Sequence, residues 1–228
     1  MKLLLVLVAG VFAGLLLGGP CQAEDLTSDM LQVEVWAPLA SISPGELTPP
    51  PPPSTLPIQL LKEARWLISG MIFGWHFVYV PSDKTRQVAE VLTLKPLGEI
   101  PWGDPRLSVT ATRVDRKSNQ YSVSVTYLLS SVEQDLRTAW ASAELHSAGG
   151  RGEWVGADSL KGRQEVVAQT VKAAVRNFLR PKIFNKPERI EGDVLLLHSP
   201  LIGSEADQLD CTAEFRLRLT LVQAYPVY

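Results

Sequence analysis

The chain has 228 residues, 46% hydrophobic and 20% charged, with 17 Pro, 16 Gly, 2 Cys and a formal net charge of −2. This length suits one domain with an appendage, and the composition excludes a collagen, a coiled coil, a disulfide-dense miniprotein and a wholly disordered chain. The near-neutral balance argues against a dedicated nucleic-acid binder, which carries a strong basic excess.

Residues 1–23 read as a secretory signal peptide. Lys2 supplies a positive start, Leu3 to Gly19 is uncharged, Pro20 breaks the run, and Cys21-Gln22-Ala23 places small residues at −3 and −1. An uncleaved anchor is the rival reading. A lipoprotein acylated at Cys21 is disfavoured, because Pro20 occupies the position before it where lipoprotein signals carry a small residue. Cleavage after Ala23 leaves Cys211 as the one cysteine and no internal disulfide. Together with the absence of an Asn-x-Ser/Thr sequon, this favours a bacterial periplasmic or envelope protein. The mature chain carries no transmembrane stretch.

Residues 24–56 read as an acidic, proline-rich arm. Glu24, Asp25, Asp29, Glu34 and Glu46 face no Lys or Arg, and Pro49 to Pro53 predict an extended polyproline spacer. Leu31 to Val35 alternates as a short strand, but the folded body is expected to begin near Pro57. From there to Tyr228 the pattern predicts an α+β domain, an antiparallel sheet of about five to seven strands packed with two main helices, 58–69 and 159–179.

Leu60, Leu61, Ala64, Leu67 and Ile68 give the first helix one apolar face, and Gly70 is expected to end it. Met71 to Val80 reads as a strand with Phe73, Trp75, Phe77 and Tyr79 on one face. Such a row is either the sheet surface that a helix covers or a platform for sugar rings or a partner segment. Residues 87–94 predict another strand, and Pro96 to Pro105 a loop holding Trp102. Leu107 to Val114 and Gln120 to Leu128 predict a hairpin with one apolar and one hydroxylated face. Residues 131–147 carry both a Ser130/Glu133 capping box and a strand-like alternation, and the reading leans to strand. Gly149 to Gly152 reads as a flexible turn. Val167, Val171, Val175 and Phe178 form the stripe of the second helix, which Pro181 stops. Val194 to His198 and Thr212 to Val222 predict the last strands.

Residues 161–189 hold eight basic residues against Glu165 and Glu188. Lys172, Arg176 and Arg180 recur at one-turn spacing, so they share a helix face. They are either a solvated, dipole-complementing face or a contact for an envelope protein or an anionic envelope surface.

No local motif fixes a reaction, and no catalytic residue, cofactor or metal is assigned. His76, His146 and His198 lack metal-ligand spacing, and the sequence has no phosphate-binding, dinucleotide or nucleophile-elbow motif. Asp210-Cys211-Thr212 resembles the nucleophile segment of cell-wall cysteine peptidases over three residues. No His follows it and the segment alternates like a strand, so Cys211 reads as a small apolar residue. The leading expectation is an exported, non-enzymatic envelope protein that binds or helps assemble a partner through the basic segment. Two alternatives stand beside it. One is a cell-wall-acting enzyme with a site around Trp75, His76 and Trp102. The other is a periplasmic small-ligand carrier, which needs an apolar cavity of about 300 Å³ or more.

Overall fold

A computed structural model describes residues 26–39, 55–142, 144–205 and 207–226. The leader, Cys21 and the run Pro49 to Pro53 lie outside the described residues. The elements in chain order are β1 (Met30–Pro38), α1 (Thr55–Ile72), β2 (Trp75–Val80), β3 (Val91–Pro96), β4 (Leu107–Asp115), β5 (Gln120–Leu128), α2 (Ser131–Ala139), β6 (His146–Val155), α3 (Leu160–Leu179), β7 (Arg189–Leu196), β8 (Leu201–Glu205) and β9 (Gln208–Gln223). The fold is α+β, as the pattern predicted. Its strands form two antiparallel sheets rather than one: β1-β5-β4, and β3-β2-β7-β9-β6 with β8 also paired to β9.

The large sheet hangs on β9. Leu209, Cys211, Ala213, Phe215 and Leu217 alternate inward and are buried. α3 lies against β6 and β9. Its stripe of Val167, Val171, Ala174 and Val175 is fully buried. Ser159 caps it by accepting a hydrogen bond from the Gly162 N–H at 3.2 Å. α1 touches β1 and β5 of the small sheet as well as β7 of the large one. Every residue from Leu67 to Ile72 is accordingly buried, which a helix covered on one face alone would not show.

Several expectations are corrected. The folded body does not begin at Pro57: β1 pairs with β5 from Met30 to Pro38 and buries Leu31, Val33 and Val35 in the core. The acidic residues do not prevent this, because Glu34 alternates outward. Gly70 does not end α1. A Cβ there would lie 1.9 Å from the Trp75 ring, so this glycine sits mid-helix to let the indole approach. The turn falls instead at Gly74, whose φ is +75°. Phe73 therefore precedes the strand, and the buried aromatic row is Trp75, Phe77 and Tyr79.

Residues 131–139 are helical. Ser130 and Glu133 form the reciprocal capping box, and the strand starts only at His146. The Gly149 to Gly152 stretch is not a turn but the middle of β6, pressed against α3. The β4–β5 hairpin is present, but the apolar side of β4 is not covered: a bulge between Val109 and Ala111 shifts its register, and Val109 and Val114 stay exposed. No helix among the described residues is long and apolar enough to cross a membrane.

Candidate functional site

The last turns of α3 and the segment after it form one wall of a cleft of about 570 Å³. Pro181 ends the helix, and the chain then passes Ile183, Phe184, Asn185 and Lys186 before β7. Tyr79 and Glu90, near the β2–β3 edge, form the opposite wall. Leu179, Ile183 and Ile190 make the apolar part of the lining, while Arg176, Arg180 and Lys186 bring positive charge to it. Arg176 and Arg180 are exposed, and Phe184 is fully solvent-facing at the rim. Phe184 therefore packs against nothing in the fold, and Arg180 and Lys186 line the same cleft.

Glu90 organises this wall. It accepts a hydrogen bond from the Tyr79 hydroxyl at 2.7 Å and one from Lys172 Nζ at 3.1 Å, and Arg176 Nη1 lies 3.6 Å away. Burial alone would raise the Glu90 pKa, but Tyr79, Lys172 and Arg176 together hold it below the ordinary carboxylate range. The Tyr79 hydroxyl moves the other way, pushed up first by burial and then by the Glu90 carboxylate. Lys186 Nζ donates to the Ser82 carbonyl at 2.8 Å, tying the segment after α3 to the end of β2. The three basic residues singled out on α3 thus differ in situation. Lys172 is drawn into an ion pair with Glu90, Arg176 shares that pair from the rim, and Arg180 is exposed at the cleft mouth.

A second cleft, of about 320 Å³, is lined by Lys62, Arg65, Trp66 and Ser69 of α1, by Glu99 and Trp102 of the following loop, and by Leu160 and Gln164 of α3. Trp102 is 54% exposed, with the Arg65 guanidinium 5.8 Å from its ring centre. Arg65 Nη1 donates to the Ile100 carbonyl at 2.7 Å, and Nη2 lies 3.8 Å from Glu99.

Trp75, His76 and Trp102 do not converge. Trp75 is 2% exposed, beneath α1, where its ring contacts Trp66 with centroids 5.2 Å apart. His76 points from the opposite face of β2. It is half-exposed rather than buried in an apolar core: its Nδ1 lies 2.9 Å from Asp193, which also accepts from Arg218 Nη2 at 2.7 Å. Glu191 stands 4.0 Å from the other ring nitrogen. This row runs across three strands, with Asp193 buried and Arg218 5.2 Å from the Trp140 ring centre, and it touches neither cleft. Cys211 is fully buried, and burial pushes its thiol up to about 11, the opposite of an activated nucleophile. Among the described residues, no group of three or more His, Cys, Asp or Glu is placed to hold a metal ion.

The sequence pattern pointed to Arg176, Arg180 and Trp102, but not to Glu90, Lys186, Phe184, Arg65 or Glu99. Lys186 belongs to the basic excess that was visible. Glu90 carries no local signal, because its partners are 82 residues or more along the chain, apart from Tyr79.

No solved structure matches the chain. An uncharacterized protein of Treponema pallidum (strain Nichols) is 26% identical over 204 residues, covering 87% of this chain and 83% of the relative. The model of an uncharacterised protein family matches residues 19–225, and the chain belongs to that family.

Proposed function

We propose that the protein is an exported envelope component that binds an acidic segment of a partner protein in the cleft at the end of α3. The observation that carries this reading is the cleft itself. Its lining combines exposed Arg176 and Arg180 with apolar Leu179, Ile183 and Ile190, and Phe184 stands free at its edge. Guanidinium groups pair carboxylates in bidentate fashion, and an exposed aromatic gives such a contact an apolar anchor. The basic excess of residues 161–189 steers an acidic partner toward the same end of α3. Export rests on the pattern of residues 1–23.

The test is crosslinking with mass spectrometry in intact cells, followed by pull-down with the double variant Arg176→Glu/Arg180→Glu. The expected result is a partner crosslinked through Lys182 or Lys186 and lost in the double variant, which keeps its far-ultraviolet circular dichroism and melts only a few degrees lower, because Arg176 gives up an exposed pair with Glu90. A partner retained at full recovery by the double variant would overturn the assignment.

The small-ligand carrier reading keeps one observation in its favour, since the cleft exceeds the size such a ligand needs. Its rim is charged rather than apolar, so a carried molecule would have to be anionic. Native mass spectrometry of the protein taken from its own cells separates the two, because a carrier retains a small mass and a docking protein does not.

A further inference from the structure

We propose that the second cleft, between α1, the Trp102 loop and the start of α3, is a separate binding site for a sugar ring. A pyranose presents an apolar face of C–H groups and an equatorial belt of hydroxyls. A site for it therefore needs an accessible aromatic ring and fixed polar groups beside that ring.

Both are present. Trp102 exposes half of its surface, in a loop whose position is set by contacts to α1: the Ile100 N–H donates to Ser69 Oγ at 3.0 Å and the Ile100 carbonyl accepts from Arg65 at 2.7 Å. Trp66, the second aromatic of the lining, lies against the buried Trp75. The polar groups are Lys62, Gln164, Arg65 and Glu99. Among the described residues, the side chains of Lys62 and Gln164 make no hydrogen bond or ion pair, and Nε of Arg65 is buried without an acceptor. The lining thus holds two side-chain donors that the fold leaves unused, Lys62 and Gln164, next to the Glu99 carboxylate, which can accept. Planar amide, guanidinium and carboxylate groups can each bond two neighbouring hydroxyls, and the volume suits a ring rather than a long chain. The cleft shares no lining residue with the cleft at the end of α3, so its occupancy is independent of the partner site.

The experiment is a titration of the full chain, followed by the Trp indole N–H signals in NMR, with two probes: tri-N-acetylchitotriose as a neutral saccharide and a glucuronate-containing disaccharide as an acidic one. The expected result is a shift of the Trp102 indole signal with at least one probe. Trp102→Ala should weaken that binding tenfold or more at an unchanged melting temperature, while Trp102→Phe should stay within about threefold, because stacking needs only an aromatic face. Gln164→Ala should weaken it without moving the melt, and Arg176→Glu/Arg180→Glu should leave it unaltered. No shift with either probe overturns the proposal, as does affinity retained by Trp102→Ala or lost in the Arg176→Glu/Arg180→Glu variant.

Discussion

Replacing Gly150 by Ala should destabilise the protein far more than the same change one residue earlier. α3 crosses β6 so closely that a Cβ on Gly150 would lie 2.1 Å from the Thr170 carbonyl oxygen and 2.9 Å from the Ala174 nitrogen. Unstrained carbon–oxygen contacts begin at about 3.3 Å, so helix and strand must separate by roughly 1 Å. Both obstacles are backbone, and no flexible side chain can swing aside. A gap of 0.5–1 Å forfeits about a quarter to a half of each dispersion contact across it. Here the layer that would open contains Val167, Val171, Ala174 and Val175, all fully buried. Overpacking costs about 1–3 kcal/mol where side chains can adjust, and this site belongs at or above the top of that range, about 3 kcal/mol. For a domain of this size that is a fall in Tm of about 6–12 °C.

Gly149→Ala is the internal control, since nothing lies within 4 Å of its added Cβ. It should stay within about 0.5 kcal/mol of the parent. The assay is urea unfolding followed by tryptophan fluorescence, with thermal melts by circular dichroism as a check. Equal stability of Gly150→Ala and the parent would refute the reasoning, as would equal losses at both positions.

Two further outcomes follow from the charged and thiol groups. Asp104 is held down to about 2, first by the hydrogen bonds from Arg106, and Glu133 is also lowered because hydrogen bonds from Ser130, Tyr127 and Arg106 outweigh the opposing effect of burial. Both groups have a folded pKa below the unfolded one, so their stabilisation is complete above about pH 5 and is lost as the pH falls through their folded values, about 2 for Asp104. Asp104→Asn should lower stability at pH 7 and flatten the loss between pH 4 and 2 in urea titrations; an unchanged acid limb would count against this network. Cys211 should resist a thiol-specific disulfide reagent at pH 8 in the folded protein and react at once in denaturant, since burial both covers it and raises its pKa to about 11. Fast labelling of the native protein would show that β9 opens locally.

What the amino-acid pattern could reveal was whatever depends on a residue's near neighbours. α3 is an example: a Ser cap, a valine stripe at helical spacing and a terminating proline all lie within one segment, and the helix spans nearly the expected residues. β5 and β9 are legible for the same reason. The short helix α2 was also written locally, in Ser130 and Glu133, but the alternation around Ala139 to Leu145 competed with it. The helix prevails over residues 131–139 because the reciprocal cap satisfies its first backbone donors, and the strand forms only beyond it.

The glycines show where local reading stops. Gly150 and Gly152 have no side chain to report a pattern, and they suggested a turn. Their function is set by Thr170, nearly twenty residues away, whose backbone occupies the space a Cβ would need. Trp75 fails as a surface residue for a similar reason. Its alternation was read correctly, but α1 continues through Gly70 and covers it. The cleft at the end of α3 divides in the same way. Its basic side follows from composition along one helix, whereas Glu90, Tyr79 and Ser82 reach it only because β2 and β3 lie beside that helix.

The sequence by itself therefore determined the α+β class, the main helices, most strand faces and the basic character of residues 161–189, because period and charge count are properties of a single segment. Only the tertiary structure decided that there are two sheets, that β1 belongs to the core, and that Arg176 and Arg180 line one cleft, Trp102 lines another, and Trp75 is buried. Those outcomes depend on which distant segments meet, and that is settled by mutual burial and backbone pairing rather than by any local pattern.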